Sequence, residues 1–170
     1  MPMRARRTIS RPIAVLLTLL EAAARTSAAE DRPPRPPVVR RVVVSIPDCK
    51  LALIENDRVV RIYAVAVGAD ESPSPVGTFT IVNRVTNPTY YRRGKVIPAG
   101  ASNPLGTRWI GLDIKHFGIH GTDAPDSIGG RRSHGCIRMR NRDVEELFER
   151  LRPGDVVELH DEEMPALFVG

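Results

Sequence analysis

From Val38 to Thr86 the apolar residues come in short runs that are β-branched or alternate with polar ones, and turn residues separate each run from the next. "VVRRVVVSI" and "KLALIE" are parted by "PDC", "NDR" precedes "VVRIYAVAVG", and the loop "ADESPSPVG" leads into the alternating "TFTIVNRV". Runs of this length and composition predict a meander of short strands. "TRWIGLDI" and "HFGIHG" read as two more, and "DVVELHD" closes the pattern. One segment breaks it. "NRDVEELFERLRPG" places Val144, Leu147, Phe148 and Leu151 at the i, i+3, i+4, i+7 spacing of a helix face. Asn141 is the expected N-cap. Asp143, Glu145 and Glu146 suit the positive end, Arg150 and Arg152 the other, and Pro153-Gly154 stop the helix. Many short strands and one well-defined helix predict a mainly β domain. Aromatic residues are only 5% of the chain, so Val, Ile, Leu and Ala must build the core.

Upstream of Val38 the sequence changes character. "MPMRARRTISR" is basic, the nine residues Pro12 to Leu20 are apolar, and "EAAARTSAAE" is small and polar. That is the order of a secretory signal peptide, with an apolar run too short to span a bilayer. Ser27 and Ala29 suit cleavage after Ala29, so the expected location is the periplasm or cell envelope. Arg6-Arg7 leaves the twin-arginine route open beside the general one. "EDRPPRPP", Glu30 to Pro37, reads as an extended polar linker. The signal segment carries five arginines against one acid, +4 of the chain's formal +5. The remainder is nearly neutral, and a general nucleic-acid footprint is excluded. What persists is a local cluster: Arg131, Arg132, Arg138, Arg140 and Arg142.

That cluster surrounds Cys136 in "SIGGRRSHGCIRMRNRD". His116, His120 and His134 all lie within twenty residues upstream of it. A thiol is a poor nucleophile until its thiolate is stabilised, and an imidazole can take its proton. His120 ends an apolar strand, which holds a base more rigidly than a loop does. Gly135 lets the backbone turn sharply beside the thiol and present N–H groups to an oxyanion. Arg138 can meet a carboxylate with a bidentate fork. Three other readings of Cys136 stay open at this point: a zinc ligand with the nearby histidines, although no Cys-x-x-Cys pair is present; half of a disulfide with Cys49, the ordinary expectation for an exported chain; and a small inert core residue. Trp109 is core or groove wall. From Thr86 to Asn103 the chain is turn-rich, with "NPTYYRRGKVIPAGASN", and so irregular a stretch predicts a functional loop or lid.

"IHGTDAPDSIGGRRSHGCIRM" resembles the active-site segment of the L,D-transpeptidase catalytic domain family, in which a His-Gly strand end is followed by a Ser/Thr-His-Gly-Cys loop. "SPSPVGTFTI", "NPTYYRRGKVIPAGASNPLGTRWIGL" and "DVEELFERLRPGDVVEL" are similar to its other blocks and come in the family's order. The resemblance covers Val42 to His160. It divides the chain into a signal peptide (1–29), a Pro/Arg-rich linker (30–41), a catalytic domain (42–160) and a C-terminal tail (161–170). It implies a mixed β-sandwich. It also implies that Cys136 is the nucleophile, that His120 is the general base, and that Gly121 orients that base through its carbonyl. Ser133, His134 and Gly135 would form the oxyanion loop, and Arg138, Tyr91 and Trp109 would bind substrate. The implied partner is the peptidoglycan stem peptide. The thiolate would attack the carbonyl of the third-position diamino acid, release D-alanine, and pass the acyl group to an amine in a 3–3 cross-link. Carbapenems would acylate the same thiol, and no metal or organic cofactor is implied. An L,D-carboxypeptidase, a protein-anchoring transferase or a non-enzymatic wall-binding module are the alternatives.

Overall fold

The computed structural model describes residues 37–92 and 94–164. The expected signal peptide, the linker through residue 36 and tail residues 165–170 lie outside them. The first strands follow the sequence pattern closely: β1 (Arg40–Ser45), β2 (Lys50–Glu55) and β3 (Arg58–Ala64) form an antiparallel meander. Asn56 and Asp57 make the two-residue turn between β2 and β3 at φ of 49° and 60°, the left-handed geometry that matches strand twist and that short polar side chains tolerate. After β4 (Val67–Gly68) comes β5 (Gly77–Thr86), then a small hairpin of β6 (Tyr90–Arg92) and β7 (Lys95–Ile97). β8 (Arg108–Leu112), β9 (Gly118–His120), β10 (Arg131–Ser133), β11 (Ile137–Arg138), the helix α1 (Asn141–Arg150) and β12 (Val156–His160) complete the order.

Eight strands form one mixed sheet in the order β11-β9-β8-β5-β12-β1-β2-β3, with β1–β12 and β9–β11 the parallel pairs. β5 is the hinge of this sheet. Its first part, Gly77–Thr80, pairs with β12, and its second part, from Ile81 to Thr86, pairs with β8. A register shift between Ile81 and Asn83 separates the two parts, and such bulges are how one strand turns a corner between two packed layers. The sheet curls far enough that its opposite edges meet. Ala66, just beyond β3, donates its N–H to the Arg138 carbonyl at 2.8 Å and accepts from the Arg138 N–H at 2.9 Å. The mainly β, mixed sandwich expected from the sequence is therefore built from one strongly curled sheet.

Its interior is a single apolar cluster. Val42 and Val44 from β1, Leu51 and Leu53 from β2, Ile81, Ile110, Ile119, Ile137 and Leu159 meet Val144, Leu147 and Phe148 of the helix and Leu151 at its C-cap. The helix C-terminus is closed by arginines. Arg152 donates to the carbonyls of Glu149 and Leu151 at 2.8 and 2.7 Å, and Arg84 donates to that of Phe148. The Arg84 guanidinium also lies over the Phe148 ring, 3.8 Å from its centroid. The N-terminus corrects the sequence expectation. The N-cap is Arg140, with no capping side chain, and Asn141 is the first helical residue. Its side chain binds two other segments instead, at Thr107 and Thr122.

Candidate active site

β9 and β11 run parallel, with Ile119 opposite Ile137 and His120 opposite Arg138. Alternation along a strand puts neighbours on opposite faces. Ile119 and Ile137 enter the core, fully buried, while His120, Arg138 and Cys136 turn to the other side, into a cleft of about 1030 Å³. Ser133, His134, Trp109 and Tyr91 line the same cleft, together with Tyr90 and Arg92 of the hairpin. The turn-rich stretch expected as a lid thus carries a short hairpin that walls the cleft. Its base is pinned by the buried Asn103, whose Nδ2 donates to the carbonyls of Pro88, Ile97 and Pro98 at 2.8, 3.1 and 3.1 Å.

The imidazole of His120 is buried, 5% exposed, and its Nδ1 lies 2.6 Å from the Gly121 carbonyl. A carbonyl oxygen can only accept, so Nδ1 carries the proton and Nε2 presents a lone pair. Burial disfavours the charged ring and pushes its pKa down to about 4; the Gly121 bond opposes this shift and the Arg138 charge adds to it. Trp109 stacks on the ring at 5.8 Å between centroids and 23° between planes. The indole N–H donates to Asn83 Oδ1 at 3.1 Å. Trp109 is therefore a buttress for the imidazole as well as a wall of the cleft.

Gly121 is held in turn. Asn141 Oδ1 accepts from the N–H groups of Thr122 and Thr107 at 3.1 and 3.3 Å, and its Nδ2 donates to the Thr122 carbonyl at 3.1 Å. A Cβ on Gly121 would stand 2.1 Å from that Oδ1. Sequence reasoning missed this role, because an Asn at the start of a helix carries the same local signature whether it caps or reaches elsewhere.

The Cys136 thiol donates to the His116 carbonyl at 3.4 Å. Burial raises its pKa, and a backbone hydrogen bond at Gly118 and the Arg138 charge pull in the other direction. Around it the loop is tightly knotted. Ser133 Oγ accepts from the Gly135 N–H at 3.0 Å and donates to the Cys136 carbonyl at 2.6 Å. Gly135 has φ of 107°, and a Cβ there would lie 2.6 Å from the Phe117 ring. No residue but glycine fits. Of the loop's amides, that of Gly135 is already engaged; those of His134 and Cys136 have no partner among the described residues.

The remaining readings of the sequence separate here. Cys49 and Cys136 are both free thiols, Cys49 buried in the core. No group of three His, Cys, Asp or Glu side chains gathers among the described residues. The cluster of five arginines around Cys136 reaches the cleft only in part. Of the five, Arg138 alone lines the cleft; Arg131 pairs with Asp70 at 3.3 Å and Arg142 with Asp143 at 3.7 Å. Arg92, from the hairpin, is the second guanidinium at the cleft.

A buried neutral imidazole, a thiol on the same face and two open amides form a set suited to acyl transfer. Known proteins carry the same arrangement of sequence. The model of the L,D-transpeptidase catalytic domain matches residues 39–159. YkuD of Bacillus licheniformis, named as a candidate L,D-transpeptidase, is 45% identical over 63% of this chain and 57% of its own length. YqjB of Bacillus subtilis, named likewise, is 38% identical over 71% of each chain. The chain thus spans little more than half of the first of these relatives. The crystal structure of L,D-transpeptidase 3 from Mycobacterium tuberculosis in complex with a faropenem-derived adduct superposes with a TM-score of 0.59 at 21% identity, over 72% of this chain and 60% of that one. Sequence and fold agree, and the chain belongs to the L,D-transpeptidase catalytic domain family.

Proposed function

We propose that the protein is an exported cysteine L,D-transpeptidase acting on peptidoglycan stem peptides. The observation that carries this reading is the His120 imidazole, held at Nδ1 by the Gly121 carbonyl and lining the same cleft as Cys136. The Sγ–H turns from the His116 carbonyl toward His120, whose Nε2 takes its proton. The thiolate adds to the carbonyl carbon of the third stem residue, a diamino acid. The resulting oxyanion is met by the free amides of His134 and Cys136. Collapse breaks the C–N bond, the imidazolium returns its proton to the leaving amine of D-alanine, and a thioester remains. An amine from a second stem attacks that thioester, His120 again accepts a proton, and the 3–3 cross-link leaves with the thiol restored. Arg138 and Arg92 supply the positive charge for the stem's carboxylates. The basic-apolar-polar order of residues 1–29 supports export to the periplasm or cell envelope.

Incubation of the protein with D-alanine-ended tetrapeptide muropeptides, followed by mass spectrometry, tests the proposal. Loss of one D-alanine and appearance of a 3–3 dimer is expected, with no product from Cys136→Ala. Turnover retained by Cys136→Ala would refute it. The M. tuberculosis relative was solved with a faropenem-derived adduct, and the same chemistry here predicts a single carbapenem adduct on Cys136.

A further inference from the structure

Ser74 lies outside the cleft and is 5% exposed. Its Oγ donates to the Gly135 carbonyl at 2.8 Å and accepts from the Gly68 N–H at 2.9 Å. The Gly135 carbonyl belongs to the peptide that joins Gly135 to Cys136. In a trans peptide the C=O and N–H point in opposite directions. A hydroxyl that holds this carbonyl on the buried side directs the Cys136 N–H the other way, toward the face on which the thiol lies. We infer that Ser74 is a positioning residue that fixes the oxyanion-binding amide of Cys136. The inference rests on the acyl-transfer reading of Cys136.

Two features make such a restraint necessary. Gly135, at φ of 107°, has little steric barrier to rotation of the peptide that follows it. Ser133 holds the groups on either side, the Gly135 N–H and the Cys136 carbonyl, but touches neither end of the Gly135–Cys136 peptide itself. Ser74 is the side chain that does. Its own place is set by a tight turn: the Ser72 N–H donates to the Ala69 carbonyl at 2.9 Å, and a Cβ on Gly68 would lie 2.4 Å from both the Ser72 oxygen and the Ser74 nitrogen. Gly68 therefore lets the turn close, and the closed turn delivers the hydroxyl. The same segment meets the loop a second time, through the Ala69 N–H and the Ser72 hydroxyl on the Ser133 carbonyl at 3.0 and 3.4 Å.

The test compares two reactions of one thiol in the full chain. Acylation of Cys136 by p-nitrophenyl acetate passes through an oxyanion; alkylation by iodoacetamide does not. Removing an oxyanion donor outright slows acyl transfer about 100- to 1000-fold, so a loosened amide in Ser74→Ala should slow acylation roughly 10- to 100-fold. Alkylation should stay within twofold of the unsubstituted protein. Ser74→Thr, which keeps the hydroxyl, should recover acylation relative to Ser74→Ala. A parallel fall in both reactions, or no fall in acylation, overturns the inference. Should Ser74→Ala not fold, Ser74→Cys is read by the same ratio, and an unchanged ratio there overturns it equally. If the unsubstituted protein is acylated by the ester but leaves muropeptides untouched, the proposed substrate fails while this inference stands.

Discussion

His120 and Cys136 are each shifted away from charge by burial, the imidazole downward and the thiol upward. Both groups are therefore neutral across the range in which an exposed histidine titrates, and under the proposed acyl transfer an ion pair would form only as the reaction proceeds. Acylation of Cys136 should then hold level through pH 6.5 and fall with a midpoint near pH 4, where the ring gains its proton. Rates of p-nitrophenol release against pH measure this; a fall centred on 6.5 would contradict a buried neutral base. The same shift acts on stability. Unfolded His120 takes up a proton near pH 6.5, the folded one not until about 4. Above 6.5 the ring is neutral in both states and nothing is lost. Between the two values the unfolded state binds more protons, and stability drops as pH falls, by about 3 kcal/mol in all. Urea denaturation at pH 7 and pH 4 should show this loss in the unsubstituted protein and not in His120→Gln, the difference between the two cancelling the other titrating groups.

At the scale of elements, the site depends on segments far apart in sequence being tied at their ends. Asn141 at the start of α1 joins Thr107, just before β8, to Thr122, just after β9. The helix was legible in its sequence because Val144, Leu147, Phe148 and Leu151 have to share a face. The work of Asn141 was not legible, because its partners lie 34 and 19 residues away and local spacing says nothing of them. Cys136 and His120 could be singled out for the opposite reason: a thiol after glycine and a histidine at a strand end are marked by a few residues, and the fold sets both on one cleft. Asn141→Ala leaves the Thr107 and Thr122 amides without partners, and a loss of about 2–4 kcal/mol is expected in denaturant titrations. Gly121→Ala should cost a further 1–3 kcal/mol, roughly, in the native background, where its Cβ meets Asn141 Oδ1 at 2.1 Å. In the Asn141→Ala background that clash is gone, so the two losses should fall short of additivity by about 1 kcal/mol or more. Additive losses would show that Asn141 does not set the space around Gly121.

For the molecule as a whole, the β-rich class could be read from run lengths and turn residues, but the closure of the sheet could not. The order β11-β9-β8-β5-β12-β1-β2-β3 interleaves the two ends of the chain, and the Ala66–Arg138 pairing joins residues 72 positions apart through backbone groups that every sequence possesses. That closure should make the two sandwich layers unfold as one cooperative body. β5 belongs to both layers, and Leu53 of β2, distant from the cleft in strand order, shares one core cluster with Ile119 and Ile137 beneath it. The chain has a single tryptophan, Trp109, which stacks on the His120 imidazole at the cleft, so its fluorescence reports the cleft layer while far-UV circular dichroism reports all strands. The two signals should share one midpoint in urea. Leu53→Ala, made in the layer away from Trp109, should lower that common midpoint by the equivalent of about 2–5 kcal/mol. If the cleft were an independent unit, Leu53→Ala would move the dichroism and leave the Trp109 transition in place, and the curled sheet would then be two bodies joined by β5.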